Sequence, residues 1–111
     1  MPIIPLFFCG LMMLASMFPA WGHTSHGGFD YDPWCCNGGD CAELPDDAVV
    51  AGPDGWIVTL KKGEHPMVHS PQVRHVIPYK TARPSGDGKF HLCLWPNENN
   101  ARCFYNPPSG F

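Results

Sequence analysis

The chain has 111 residues, a formal net charge of −3, six cysteines, 12 glycines and 13 prolines. Its seven basic residues are scattered within an acidic total, Lys61-Lys62 being their one adjacent pair, which argues against a nucleic-acid partner. Gly and Pro punctuate it every few residues and no long 3.6-residue apolar period is visible, so a helical architecture is not expected.

Residues 3–18 are almost wholly apolar, and Ala20-Trp21-Gly22 puts small residues at the −3 and −1 positions that signal peptidase reads. Residues 1–22 are therefore expected to be a signal peptide, with Cys9 discarded in it. Pro5 and Pro19 interrupt the run and no basic stop-transfer cluster follows, so no membrane span is expected after cleavage. The mature chain, 23–111, has 89 residues and would act in the periplasm or outside the cell. That is one small domain, near the size at which a hydrophobic core alone is marginal and covalent staples are expected.

Charge divides the mature chain. Residues 23–54 hold seven acids and no Lys or Arg; residues 55–111 hold seven bases against Glu64, Asp87 and Glu98. An acidic, cysteine-rich head packed on a more basic sheet is the simplest reading. Along this chain a short helical turn is predicted around Pro45 to Val49, and strands at 48–51, 56–60, 73–77, 89–95 and 101–105. Pro53-Asp54-Gly55 supplies turn chemistry between the first two strands. The fold class is mainly β: a small disulfide-stapled sheet domain with long loops, preceded by the signal peptide.

If Pro96 to Asn100 form a hairpin loop, Trp95 faces Ala101, Leu94 faces Arg102 and Cys93 faces Cys103. A Cys93–Cys103 bridge is then expected, since directly opposed residues come within disulfide range. Cys36–Cys41, closed by the flexible Asn37-Gly38-Gly39-Asp40 turn, is the second expected bridge, leaving Cys35 as a free thiol. The competing arrangement sends Cys93, Cys103 or both to the N-terminal cysteines and pins the head to the sheet. Cys35-Cys36-x4-Cys41 is not Cys-x-x-Cys, so a thiol-disulfide redox protein ranks last among the functional readings.

Cleavage after Gly22 makes His23 the amino-terminal residue, whose amine and ring chelate Cu(II) in the manner of a histidine brace; His26 is the candidate second ligand. A copper or zinc site on His23 and His26 is accordingly one reading. His65 and His69 fall in extended chain, where they are too far apart to share a metal and read as surface groups. His91 reads as a packed, hydrogen-bonded core histidine beside the hairpin. Asp30, Asp32, Asn37 and Asp40 do not meet the EF-hand template.

Phe29, Tyr31 and Trp34 cluster in the head, either capping the sheet or standing exposed as a binding platform for an envelope protein or glycan. The blocks Phe29-Asp-Tyr-Asp-Pro-Trp-Cys-Cys-x4-Cys41, Ala51-Gly-Pro-Asp-Gly-Trp56, Ser85-Gly-Asp-Gly-Lys-Phe-His-Leu-Cys93 and Arg102-Cys-Phe-Tyr-x-Pro-Pro108 resemble a family of small exported proteins from alphaproteobacteria and some of their phages. The resemblance implies export and one compact domain. It transfers no activity and no catalytic residue. The leading expectation is a non-catalytic, disulfide-stabilised binding module.

Overall fold

A computed structural model describes residues 29–108, so the expected signal segment and the two histidines of the amino-terminal metal reading, His23 and His26, lie outside the described residues. The described chain is mainly β, as expected, and runs in two small sheets. Strands β1 (Cys41–Glu43), β5 (Arg83–Pro84), β6 (His91–Leu94) and β7 (Ala101–Asn106) make one sheet in the order β1-β6-β7-β5. Strands β2 (Val49–Ala51), β3 (Trp56–Lys61) and β4 (Gln72–Ile77) make the other, in the order β2-β3-β4. All pairings are antiparallel except β5 with β7. The turn expected near Pro45 is a 3-10 turn, Asp46–Ala48; a second spans Tyr79–Thr81.

Alternation along the strands explains how the layers meet. In β3, Val58 and Leu60 point inward while Thr59 between them is half-buried. They pack with Ile77 of β4 and with Leu92, Leu94 and Phe104 from the four-stranded sheet. β6 is buried on both faces, which is why His-Leu-Cys-Leu holds no exposed residue. Leu92 and Leu94 face the second sheet, whereas His91 and Cys93 face the head, where Tyr31, Cys35, Cys36, Cys103 and Tyr105 form a second core. Each fully buried Leu or Phe stabilises by roughly 1.5–3 kcal/mol, so these two small cores carry much of the fold.

The β2–β3 turn needs its glycine. Gly55 sits at φ 150°, and a Cβ there would meet the Ile77 carbonyl oxygen at 2.1 Å. Backbone closes in that tightly because Trp56 pairs directly with Ile77 across the sheet.

At the far end, the β6–β7 loop is tied to the strands beside it. The Glu98 carboxylate accepts the backbone N–H of His69 at 2.7 Å and of Ser70 at 2.9 Å, and also the Ser70 hydroxyl. These bonds hold it well below the usual carboxylate range, at about 2, with the Ser70 hydroxyl the leading cause. His75 Nε2 donates to the Glu98 carbonyl at 2.8 Å, so one loop residue links the hairpin to β4.

The hairpin register departs from expectation in one place. Cys93 does oppose Cys103, but Leu94 opposes Ala101, leaving Arg102 as an extra residue on β7. Leu94 sends its N–H to the Asp40 carbonyl on the opposite edge instead. A bulge of this kind redirects the side chain of the additional residue. Here it turns Arg102 out to solvent, where its Nε donates to the Trp34 carbonyl at 2.6 Å.

Both expected disulfides are corrected. The bridges are Cys35–Cys103 and Cys41–Cys93, with Cα–Cα distances of 5.6 and 3.9 Å, and the free thiol is Cys36, not Cys35. The reason is that β6 is a central strand. Cys93 has a cysteine directly opposite on each side, Cys103 on β7 and Cys41 on β1, and it bonds to Cys41. Cys103 is then left for Cys35, whose loop folds over the same face. The competing arrangement weighed from the sequence, in which the head is pinned to the sheet, is the one that forms.

Candidate functional site

The head is locked to the sheet by a buried polar relay. Tyr31 donates its hydroxyl to His91 Nδ1 at 2.8 Å, and His91 Nε2 lies 2.9 Å from both Asp87 carboxylate oxygens. Asp87 resists protonation: burial opposes this, but the bonds from His91 and from the Lys89 N–H outweigh it. With an ionised acceptor at Nε2, the His91 proton sits there and Nδ1 is free to accept from Tyr31. Burial pushes the Tyr31 phenol far up, with Cys36 and the Asp87 carboxylate adding to the effect, so it remains a donor.

An Asp-His-Tyr relay is also the geometry of a general base and a nucleophile. Here His91 is 0% exposed and ringed by Phe29, Tyr31 and Tyr105, with centroids 5.1, 5.3 and 6.3 Å away. The ring is thereby held between Tyr31 and Asp87, away from solvent. Of the three head aromatics, Tyr31 is buried and Phe29 half-buried, so these two cap the sheet and do not form a platform. Trp34 is the exception, 52% exposed.

Trp34 stands at the edge of a groove of about 470 Å³ shared with Lys80, Arg83, Pro84 and Arg102. A second hollow of about 310 Å³ adjoins it through Thr81, Arg102 and Cys103. Trp34, Arg83 and Arg102 are fixed from behind. The Arg83 guanidinium lies 4.2 Å from the Trp34 ring centroid, a cation–π contact, and Nη1 reaches Asp32 Oδ2 at 3.5 Å. Asp32 is held in turn by the Tyr105 hydroxyl, which donates to Oδ2 at 2.7 Å and accepts the Asp32 N–H at 3.0 Å. Burial and that bond to the Asp32 carboxylate push the Tyr105 phenol up to about 12. Arg102 is turned into the groove by the β7 bulge, and Cys35–Cys103 ties the Trp34 segment to the floor. Three cations, one carboxylate and an exposed indole thus share one rigidly backed face. Sequence reasoning missed Lys80, Arg83 and Arg102 because they come from segments with no shared motif.

The remaining histidines separate. His65, expected at the surface, is buried: Nε2 donates to the Leu92 carbonyl at 2.8 Å and Nδ1 accepts the Met67 N–H at 3.0 Å. A loop histidine with a backbone partner on each ring nitrogen serves as a pin between the 62–71 segment and β6. Burial lowers its pKa, against a partial offset from the Leu92 carbonyl. His69 is exposed, and among the described residues the group of three side chains close enough to share a metal ion contains no histidine.

The head also holds a sulfur cluster. Ligand atoms of Cys36, Asp40 and Cys41 lie within 4.8 Å of one another. Burial pushes the Cys36 thiol up, although backbone N–H groups of Gly38 and Cys41 favour its thiolate. No helix among the described residues is long and apolar enough to cross a membrane. No family model, curated protein or solved structure matches the chain.

Proposed function

We propose that the chain is an exported, non-catalytic binding module that holds an acidic glycan in the groove between Trp34, Lys80, Arg83 and Arg102. The observation that carries this reading is the exposed indole set among three cations on a surface otherwise backed by disulfide and hydrogen bonds. An indole offers a flat apolar face to a sugar ring, and guanidinium groups match carboxylates in a planar, forked geometry. A preorganised site loses little side-chain freedom on binding, so even a shallow groove can hold a repeating polymer. Two disulfides suit an oxidising compartment outside the cytosol, where such polymers occur.

The test is titration of the purified protein with a polyuronate, with a neutral polymer of the same backbone alongside. The uronate should bind and weaken with added salt, and the neutral polymer should not. Trp34→Ala should cost on the order of 2 kcal/mol, about a 30-fold loss, as expected for a central aromatic anchor. Arg102→Gln should weaken binding and flatten its salt dependence. A wild-type protein indifferent to the uronate, or variants that bind it as the wild type does, would refute the assignment.

A further inference from the structure

The cluster around Cys36 remains unused by the groove and by the staple. Cys36 is a buried free thiol in a protein whose other described cysteines are paired. Asp40 is only 1% exposed; its Oδ1 accepts the Asn37 N–H, while Oδ2 has no hydrogen-bond partner among the described residues. A buried, unsatisfied carboxylate oxygen costs stability unless something else satisfies it. A carboxylate oxygen of Asp40 lies within 4.8 Å of the Cys36 and Cys41 sulfurs.

We propose that opening the Cys41–Cys93 bridge converts this cluster into a zinc site with Cys36, Cys41, Cys93 and Asp40 as ligands. Cys36-x4-Cys41 has the ligand spacing of a structural zinc loop. The loop closing it carries Gly38 at φ 117°, and neither Gly38 nor Gly39 has anything within 4 Å of an added Cβ. Burial and the Asp40 carboxylate hold the Cys36 thiol protonated, against backbone N–H groups of Gly38 and Cys41 that favour its thiolate; a cation between Cys36 and Asp40 would reverse the carboxylate's effect. Tetrahedral zinc with Zn–S near 2.3 Å sets its sulfurs about 3.8 Å apart, so the Cys36 and Cys41 sulfurs need approach by no more than about 1 Å, while those of Cys41 and Cys93, bonded in the bridged protein, must part to the same spacing. Cys93 adjoins because it is already bonded to Cys41.

The chemistry balances with a small dithiol as reductant. The dithiol gives two electrons and two protons to the Cys41–Cys93 bond and closes to a cyclic disulfide. Cys36, Cys41 and Cys93 then lose three protons to water as the cation binds. Cys41 is half-buried and exposes the bridge to attack, whereas both cysteines of the other bridge are buried.

Cobalt(II) is the probe, because thiolate ligation gives it a charge-transfer absorption. Mild dithiol treatment should open Cys41–Cys93 and leave Cys35–Cys103 closed, as alkylation and peptide mapping would read. The reduced chain should then bind one cobalt, displaced by zinc, with its β-sheet circular dichroism retained. Cys36→Ser and Asp40→Asn should each weaken binding by at least about 100-fold, beyond the loss from removing a group that only orients a ligand. The fully bridged protein should bind at least as weakly. An unfolded chain chelating through Cys41 and Cys93 would be indifferent to Asp40→Asn. Absence of the cobalt–thiolate band, indifference to either substitution, or uptake only after the β signal is lost would overturn the proposal.

Discussion

The two disulfides are nested, and nesting makes a quantitative prediction about removing them. Cys35–Cys103 and Cys41–Cys93 close loops of sequence separation 68 and 52, each worth about 4 kcal/mol if it were the sole cross-link, from the lost entropy of the unfolded chain. With one in place, the other closes only the short circuit through residues 35–41 and 93–103, a loop of roughly 16 residues worth about 3 kcal/mol. Replacing either pair by alanine should therefore cost about 3 kcal/mol, and replacing both about 7, a coupling near 1 kcal/mol. Packing changes at independent sites cancel in that coupling. Chemical denaturation of the wild type, the two double variants and the quadruple variant supplies the four free energies. Since a small domain holds only about 5–15 kcal/mol in total, the quadruple variant should be close to unfolded. A Cys35→Ala/Cys103→Ala protein within about 1 kcal/mol of wild type would contradict the pairing. Strict additivity of the two pairs would contradict the nesting.

Tyr31→Phe removes the donor to a fully buried imidazole nitrogen and should cost about 1–3 kcal/mol while leaving uronate binding unchanged; a loss of groove binding would mean that the relay does more than hold the head. His65 has a folded pKa below the ordinary 6.5, so the unfolded chain takes up the proton first and stability should fall as pH drops through about 6.5. Its ring titration by NMR checks this, and half-protonation at or above 6.5 in the folded protein would contradict the buried pin. Glu98 has the opposite linkage: its folded pKa of about 2 lies below the usual 4.5, so its contribution is present above 4.5 and fades as pH falls toward 2. Its carboxyl carbon should show no titration near 4.5, and a midpoint there would mean that the clasp on Ser70 and His69 is open in solution.

The strands of the second sheet were legible because Trp56-Ile-Val-Thr-Leu and Val73-Arg-His-Val-Ile77 carry β-branched residues bounded by turn chemistry. β1 was not legible: Cys41-Ala-Glu has no β-branched or aromatic residue and becomes a strand only because β6 offers it an edge. Missing β1 is what misdirected the disulfides, since the register of Cys93 against Cys103 was right and the rival partner on the other edge was invisible. The sequence pattern distinguished neither Cys35 from Cys36 nor Trp34 from its buried neighbours, because a turn sets which way each of them points. Cys35 and Cys36 both have N–H groups bonded to the Asp32 carbonyl, which bends the chain at that point. The groove joins the head, the segment around β5 and the β7 bulge, three pieces that only tertiary structure brings together.

Amide and indole chemical-shift mapping during a polyuronate titration tests the binding claim most directly. Saturable shifts are expected at the Trp34 indole N–H, at Arg83 and Arg102, and at the backbone of residues 80–84, with the Tyr31, His91 and Asp87 relay unmoved. Shifts centred on another face, or none at saturating uronate, would contradict the claim.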